Sequence, residues 1–305
     1  MRFEVYSHAL VQRYRTSLVT KAVFFQLILF ILLIVAPLLI AYRTSGFWIK
    51  EKYYTESPYV YYRHEAIVYV DTGSRTLVWT TYPNLNQFLS MEGVLNTPLI
   101  QSIEVDNDFN GKNDYMDFSS TFTLNSGETV NSVNAYLFFD YELRLFSRVR
   151  ALGLALIQEQ SDSGASKLAV TGDLNFFQKI NLPHKGDNTD FANELIIDQS
   201  SSFDLNAYVQ SYNARNLTTE LVHSFRRWQM GASADNTFVL ELRVRYPEQT
   251  LRYEPGFLEE IKFAWIQYLS IFVIFLFAFD RLKTFVFQNQ VFPTVPMHTQ
   301  MRKKL

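Results

Sequence analysis

Residues Ile261–Phe279 read IKFAWIQYLSIFVIFLFAF. The run carries one charge, Lys262 at its edge, and is otherwise apolar except for Gln267 and Ser270. At about 1.5 Å per residue, a helix of this length just spans a hydrocarbon core of roughly 30 Å. No Gly or Pro breaks it, and Trp265 and Tyr268 lie near one end, where interfacial aromatic side chains prefer to sit. Asp280, Arg281 and Lys283 then stop the apolar run. A buried helix of a soluble protein is the competing reading; the length and the charged stop favour a membrane span.

Upstream, Ala22–Tyr42 (AVFFQLILFILLIVAPLLIAY) forms a second apolar run, preceded by Arg2, Arg13, Arg15 and Lys21 against the single acid Glu4. It is longer than the 7–15-residue core of a cleaved signal, and no small-residue cleavage pattern follows it, so a retained signal anchor is expected. Pro37 marks a kink position that neighbouring helices can accommodate. Two spans put both tails on one side. The Lys/Arg bias of the tails over the loop ends is slight, and it favours the cytosol. The expected organisation is therefore a cytosolic tail 1–21, span 22–42, an extracellular or lumenal domain 43–260, span 261–279 and a cytosolic tail 280–305. Gln26 and Gln267 enter the two spans from opposite faces, roughly 20 Å apart in depth. They cannot pair, and each must snorkel or find another helix.

The chain has 305 residues and a formal net charge of −2, which carries no signature of nucleic-acid binding. The length allows one to two domains. Phe (27) and Tyr (18) are abundant while Gly is sparse, which suits β structure. Cys is absent, so disulfides, thiolate metal sites and a Cys nucleophile are excluded, and an outer domain must hold itself by core packing.

That outer region reads as mainly β. Val60, Tyr62, Ala66, Val68 and Val70 share one strand face, interrupted at His64. Leu137, Phe139, Tyr141, Leu143 and Leu145 alternate with Phe138, Asp140, Glu142 and Arg144. Phe238, Leu240, Leu242, Val244 and Tyr246 alternate with Glu241, Arg243 and Arg245. Period 2 with one polar face marks strands that cover a core on one side. Further strands are expected at 76–82, 115–124, 152–158, 167–178 and 217–225, with SDSGAS (161–166) and HKGDNTD (184–190) as surface loops. Leu205, Tyr208, Val209 and Tyr212 predict one short helix, with Asp204 as its cap and Phe203 stapled on Tyr208. The fold class expected is a membrane protein whose two transmembrane helices flank a sandwich-like β domain with one short helix.

Asp106–Asp117 reads DNDFNGKNDYMD. Asp106, Asp108, Asn110, the Lys112 carbonyl, Asp114 and Asp117 fall at the ligand positions of a calcium loop, with Gly111 at the sharp turn. Against this, Asp117 is shorter than the usual bidentate Glu, Lys112 brings a positive charge, and the flanks read as strands. The alternative is an Asx-rich hairpin loop. Asn216-Leu217-Thr218 is a glycosylation sequon, expected to be exposed after the helix. The five histidines (8, 64, 184, 223 and 298) have no metal spacing. No G-x-S-x-G, H-E-x-x-H or phosphate-binding Gly loop occurs. The adjacent Glu259 and Glu260 read as the solvated edge of a span. Beyond Pro293 the tail ends in Arg302, Lys303 and Lys304, cations suited to anionic lipid.

PGF (255–257), KFAWIQY (262–268) and RLKTFVFQNQV (281–291) closely resemble the transmembrane protein 231 family of the ciliary transition zone. So do the N-terminal FEVYSHALVQRYRTSLVTKA (3–22), the exit AYRTSGFWIKEKYY (41–54) and FDLNAYVQSYNARNLTTEL (203–221), whereas 157–200 resembles it much less. The resemblance implies a non-enzymatic scaffold in the ciliary membrane at the transition zone. Its partners there are the tectonic and Meckel-syndrome complex subunits, and it helps form a diffusion barrier and supports ciliogenesis and Hedgehog-type signalling. No small-molecule substrate or certain cofactor is implied. An accessory subunit of a membrane transporter or pump has the same two-span plan, although such subunits usually carry disulfides. A two-span channel would need more pore-facing polar positions than Gln26 and Gln267 supply.

Overall fold

The computed structural model describes residues 12–44, 48–192 and 205–298. They fall into two compact units, residues 1–50 with 255–305, and Glu51–Glu254. In chain order the elements are β1 (Gln12–Arg15), α1 (Lys21–Arg43), β2 (Lys52–Glu56), β3 (Tyr59–Asp71), β4 (Thr76–Thr80), α2 (Pro83–Met91), β5 (Leu99–Val105), β6 (Tyr115–Thr123) and β7 (Val130–Leu143). There follow β8 (Arg148–Gln178), β9 (Asp187–Phe191), α3 (Leu205–Ala214), β10 (Leu217–Met230), β11 (Thr237–Arg245), β12 (Gln249–Tyr253), α4 (Phe257–Gln288) and β13 (Val295–His298).

In the first unit α1 and α4 are 23 and 32 residues long, each apolar and long enough to cross a bilayer. α1 continues unbroken through Pro37, which is buried on one side of the helix with Ala22, Leu29 and Ala41. Small residues at such positions let helix backbones approach. Most large side chains on both helices, such as Phe24 and Ile274, are exposed, a distribution that acyl chains rather than water would cover. α4 overruns the apolar stretch at both ends. Glu259 and Glu260 lie in its first turn, where their charge complements the helix dipole. The two helices run antiparallel, since Phe25 near the start of α1 meets Phe287 near the end of α4 at 6.4 Å and Phe292 at 5.3 Å. β1 and β13 pair antiparallel, Gln12 opposite His298 and Arg15 opposite Val295, so the two tails leave the same end of the helix pair.

The second unit is a nine-stranded sheet in the order β4-β3-β7-β8-β11-β6-β5, with β9 and β10 also pairing with β8. β8 organises it. The strand runs 31 residues. Its first half pairs with β7, and its second half pairs with β10 on one side and β11, in parallel, on the other. The expected loop at 161–166 is thus part of the strand. Small residues let the strand bend there, and a Cβ on Gly164 would stand 1.8 Å from Thr129 Oγ1. The bend curls the sheet until one face lines a common core. Tyr141 on β7 stacks on Phe176 in the second half of β8 at 5.0 Å, and Tyr62 on β3 meets Phe118 on β6 at 6.2 Å. The Tyr62 N–H donates to Glu104 Oε1 at 2.8 Å, joining β3 to β5 across the closure. The architecture is sandwich-like, built by one curled sheet.

His64 explains its own interruption of β3. It sits at φ +58° in a bulge between Tyr62 and Glu65. Because the bulge inserts two residues, side-chain parity survives, and Val60, Tyr62, Ala66, Val68 and Val70 all reach the core. Leu145 lies beyond β7 and is 63% exposed, not on the core face as expected. Phe138, expected on the polar face of β7, is buried in a second cluster with Ile67, Tyr136, Leu152 and Leu154. α3 covers that cluster with Tyr208 and Tyr212. Its helical stripe is as the sequence spacing requires; Asp204 and Phe203 lie outside the described residues. The Tyr212 hydroxyl accepts the Thr219 N–H at 2.8 Å and donates to the Leu152 carbonyl at 3.2 Å. Thr219 Oγ1 in turn accepts the Leu154 N–H at 2.7 Å and donates to the Leu154 carbonyl at 3.1 Å.

A second short helix, α2, follows the expected strand at 76–82, which ends at Thr80. Pro83 stands in its first turn, and Asn86 holds it to β4 by accepting the Thr80 N–H and donating to the Thr80 carbonyl. Part of the expected loop 184–190 forms the edge strand β9. β2 and β12, the strands next in sequence to the two long helices, pair into a separate ribbon.

Candidate functional site

The Asp106 loop turns from β5 to β6 through Phe109 and Gly111, both at positive φ. Asp106, Asp108 and Asp114 bring carboxylate oxygens within 4.8 Å of one another. Those oxygens also bond the loop's own backbone. Asp106 accepts the Gly111 N–H at 2.9 Å and the Asn110 N–H at 3.2 Å, and Asp114 accepts the Asn107 N–H at 2.7 Å. Desolvation pushes the Asp106 carboxyl up, but the hydrogen bonds it accepts from the Gly111 and Asn110 N–H groups outweigh it and hold the group below its ordinary value. The other side chains of the loop have partners of their own. Asn110 Oδ1 accepts the Lys112 N–H at 2.8 Å. The Lys112 ammonium donates to the Ser57 carbonyl at 2.7 Å and lies over the Tyr59 ring. Asp117 is drawn off to Arg243, which grips it with Nε at 2.7 Å and Nη2 at 2.8 Å. A cation here would find three carboxylates, without Asp117.

That Arg243 pair belongs to a ladder on the outer face of the sheet. Lys167 on β8 meets Glu241 on β11 at 2.6 Å, and Arg245 on β11 meets Asp173 on β8 at 2.6 Å. Gln101, Ile103, Ser119 and Thr171 line a shallow groove of about 440 Å³ beside it. Alternation in β11 placed its arginines outward. Their acidic partners sit on strands distant in sequence, and only the pairing of β6 and β8 with β11 reveals them.

Asn216 is exposed in the turn between α3 and β10, and its carbonyl accepts the Lys179 N–H at 2.9 Å. His64 lies edge-on to Tyr62, and His184 stacks on Tyr253. His8 lies outside the described residues.

Glu56 has a structural role that its sequence context does not mark. Its carboxylate is buried and accepts the Arg144 and Leu145 N–H groups at 2.7 and 3.0 Å, tying β2 to the turn between β7 and β8. Tyr54, Phe146 and Tyr253 pack their rings at 5.0–5.5 Å beside it. The alternation of Lys52–Glu56 puts Tyr54 and Glu56 on one face; nothing in the sequence marks that face as buried. Within the helix pair, Gln26 is exposed, while the Gln267 carbonyl oxygen is buried without a hydrogen-bond partner among the described residues.

A family model described as transmembrane protein 231 matches residues 1–296. Transmembrane protein 231 of Xenopus tropicalis is 38% identical over 299 residues, covering 96% of this chain and 95% of the frog protein. The protein of that name from Bos taurus is 38% identical over 301 residues, covering 97% and 95%. The one from Homo sapiens is 36% identical over 310 residues, covering 99% and 97%. Among solved structures, a proton-activated chloride channel aligns with 87% of this chain and 99% of its own at 8% identity and a TM-score of 0.21, a likeness that carries no argument.

Proposed function

Because the chain belongs to the transmembrane protein 231 family, we propose that it is a non-enzymatic membrane scaffold of the ciliary transition zone. In this reading it assembles with tectonic and Meckel-syndrome complex subunits. It contributes to a diffusion barrier between ciliary and plasma membrane, and so supports ciliogenesis and Hedgehog-type signalling. The observation that carries the proposal is the family match along nearly the full length, spans and outer domain together. A Cys-free domain held by packing, with an outer face of paired charges, suits a part whose work is assembly.

Both tails are assigned to the cytosol and residues 43–260 to the outside or lumen. The antiparallel helix pair supports the shared side of the tails. The exposed Asn216 supports a lumenal sequon and its glycosylation. Localisation of a tagged chain tests the scaffold reading: a ring at the ciliary base is expected, and a diffuse plasma-membrane or organelle signal would overturn it. Protease treatment of intact vesicles tests the topology, since the middle domain should survive while both tails are cut.

A further inference from the structure

The start of α1 carries an apolar groove of about 680 Å³, lined by Leu18, Val19, Phe24, Phe25, Ile28 and Phe292, with Lys21 also in its wall. From it we infer that this groove binds a single anionic phospholipid, an acyl chain lying in the groove and the headgroup on Lys21.

The lining suits an acyl chain. Leu18 and Val19 are 87% and 95% exposed although they precede the helix, and Phe24 and Leu27 carry the same open surface onto α1. The groove is therefore continuous with the face that hydrocarbon would cover, and a soluble polar ligand finds little to bond there. The surroundings suit a negatively charged headgroup. Arg13, Arg15 and Lys21 are all exposed, and no acid occurs from Gln12 to Arg43. Tyr14 turns to the other face of β1 and stacks on Phe287, which leaves both arginines on the face away from the helix end. Thr20, the N-cap residue, donates its hydroxyl to the Ser17 carbonyl instead of capping, so among the described residues no side-chain acceptor caps the positive end of the first turn. Phosphate oxygens complement that field, and a basic juxtamembrane site of this kind discriminates anionic from zwitterionic lipid.

The inference rests on the two-span reading and, for the leaflet alone, on the proposed topology. Nanodiscs with the same lipid in both leaflets remove the second dependence. The full chain is reconstituted in phosphatidylcholine discs with or without phosphatidylserine, and retained lipid is counted by native mass spectrometry. Wild type should keep phosphatidylserine in preference to phosphatidylcholine. Lys21→Gln should weaken the preference roughly fivefold, and Lys21→Arg should preserve it. Equal retention of the two lipids by wild type, or a preference unchanged in Lys21→Gln, would overturn the assignment. Because the chain has no cysteine, Leu18→Cys carrying a photo-crosslinker reports the occupant directly. A lipid adduct supports the proposal; an adduct to residues 1–11 or to another protein refutes it. Extraction of the chain from membranes by alkaline carbonate would instead sink the two-span reading, a failure visible apart from any lipid preference.

Discussion

Replacing Tyr212 with Phe removes one oxygen from a buried node and leaves its shape intact. That oxygen accepts the Thr219 N–H at 2.8 Å and donates to the Leu152 carbonyl at 3.2 Å. Thr219 N faces away from its ladder partner, Phe176 on β8, so the tyrosine is the acceptor that the strand itself does not supply. In Tyr212→Phe this buried N–H has no partner, a loss of about 1–3 kcal/mol. For a unit spanning Glu51–Glu254, each kcal/mol lowers the melting temperature by roughly 2–4 °C, which gives about 2–12 °C. Tyr141 and Tyr246 provide the contrast, because their buried hydroxyl oxygens have no hydrogen-bond partner among the described residues. Tyr141→Phe and Tyr246→Phe should be neutral or stabilising, since each removes an unsatisfied polar atom. The assay is thermal unfolding of the full chain in detergent by circular dichroism, with hydrogen exchange at the Thr219 amide. If Tyr212→Phe melts with wild type and the Thr219 amide stays protected, this node does not fix α3.

Leu240 is fully buried on the core face of β11, and Leu240→Ala should cost about 2–5 kcal/mol and lower cellular abundance. Arg243→Ala, which breaks a pair whose partners are 51% and 42% exposed, should cost no more than about 1 kcal/mol; an abundant Leu240→Ala would mean the strand register is wrong. Arg75 foremost, with the Asn125 N–H, Thr72 and Ser74 acting against desolvation, holds the Glu128 carboxyl at about 2. This is below the unfolded value near 4.3, so the clamp stabilises fully above that pH and is lost as pH falls towards 2. Glu128→Gln should flatten the melting curve's pH dependence between those limits, and an unchanged slope would count against the clamp. At the Asp106 loop, a calcium dissociation constant of about 10⁻³ M predicts that about 5 mM calcium adds roughly 1 kcal/mol. The added stability should vanish in Asp106→Ala with Asp108→Ala; identical melting with and without calcium would leave only a self-bonded turn.

Local periodicity made much of this molecule legible. The two apolar runs, the core faces of β3 and β11 and the stripe of α3 each follow from spacing within one segment. What stayed hidden depends on partners far away in the chain. Ser161–Ser166 has loop composition, yet it stays in the strand because β7 precedes it and β10 and β11 follow it as neighbours. Phe138 breaks the polar face of β7 because α3, some seventy residues on, covers it. The Asp106 loop was visible as a spacing of acids, but the spacing could not show that Asp117 pairs with Arg243, a residue brought beside it by the β6–β11 ladder.

The position of β8 in the sheet also sets an order of events during synthesis. Its first half finds β7 immediately upstream and can pair by closing a short turn. Its second half must wait for β10 and then for β11, which lies parallel to it and pairs Val239 with Lys167. Closing such long loops is slow relative to hairpin formation, and until β11 arrives half of the longest strand has a free edge. The first apolar helix has by then long left the ribosome, and only the short β12 stands between β11 and the second. Completion of the sheet and emergence of the last helix therefore nearly coincide, and in that interval the nascent chain most needs a chaperone on its open edge.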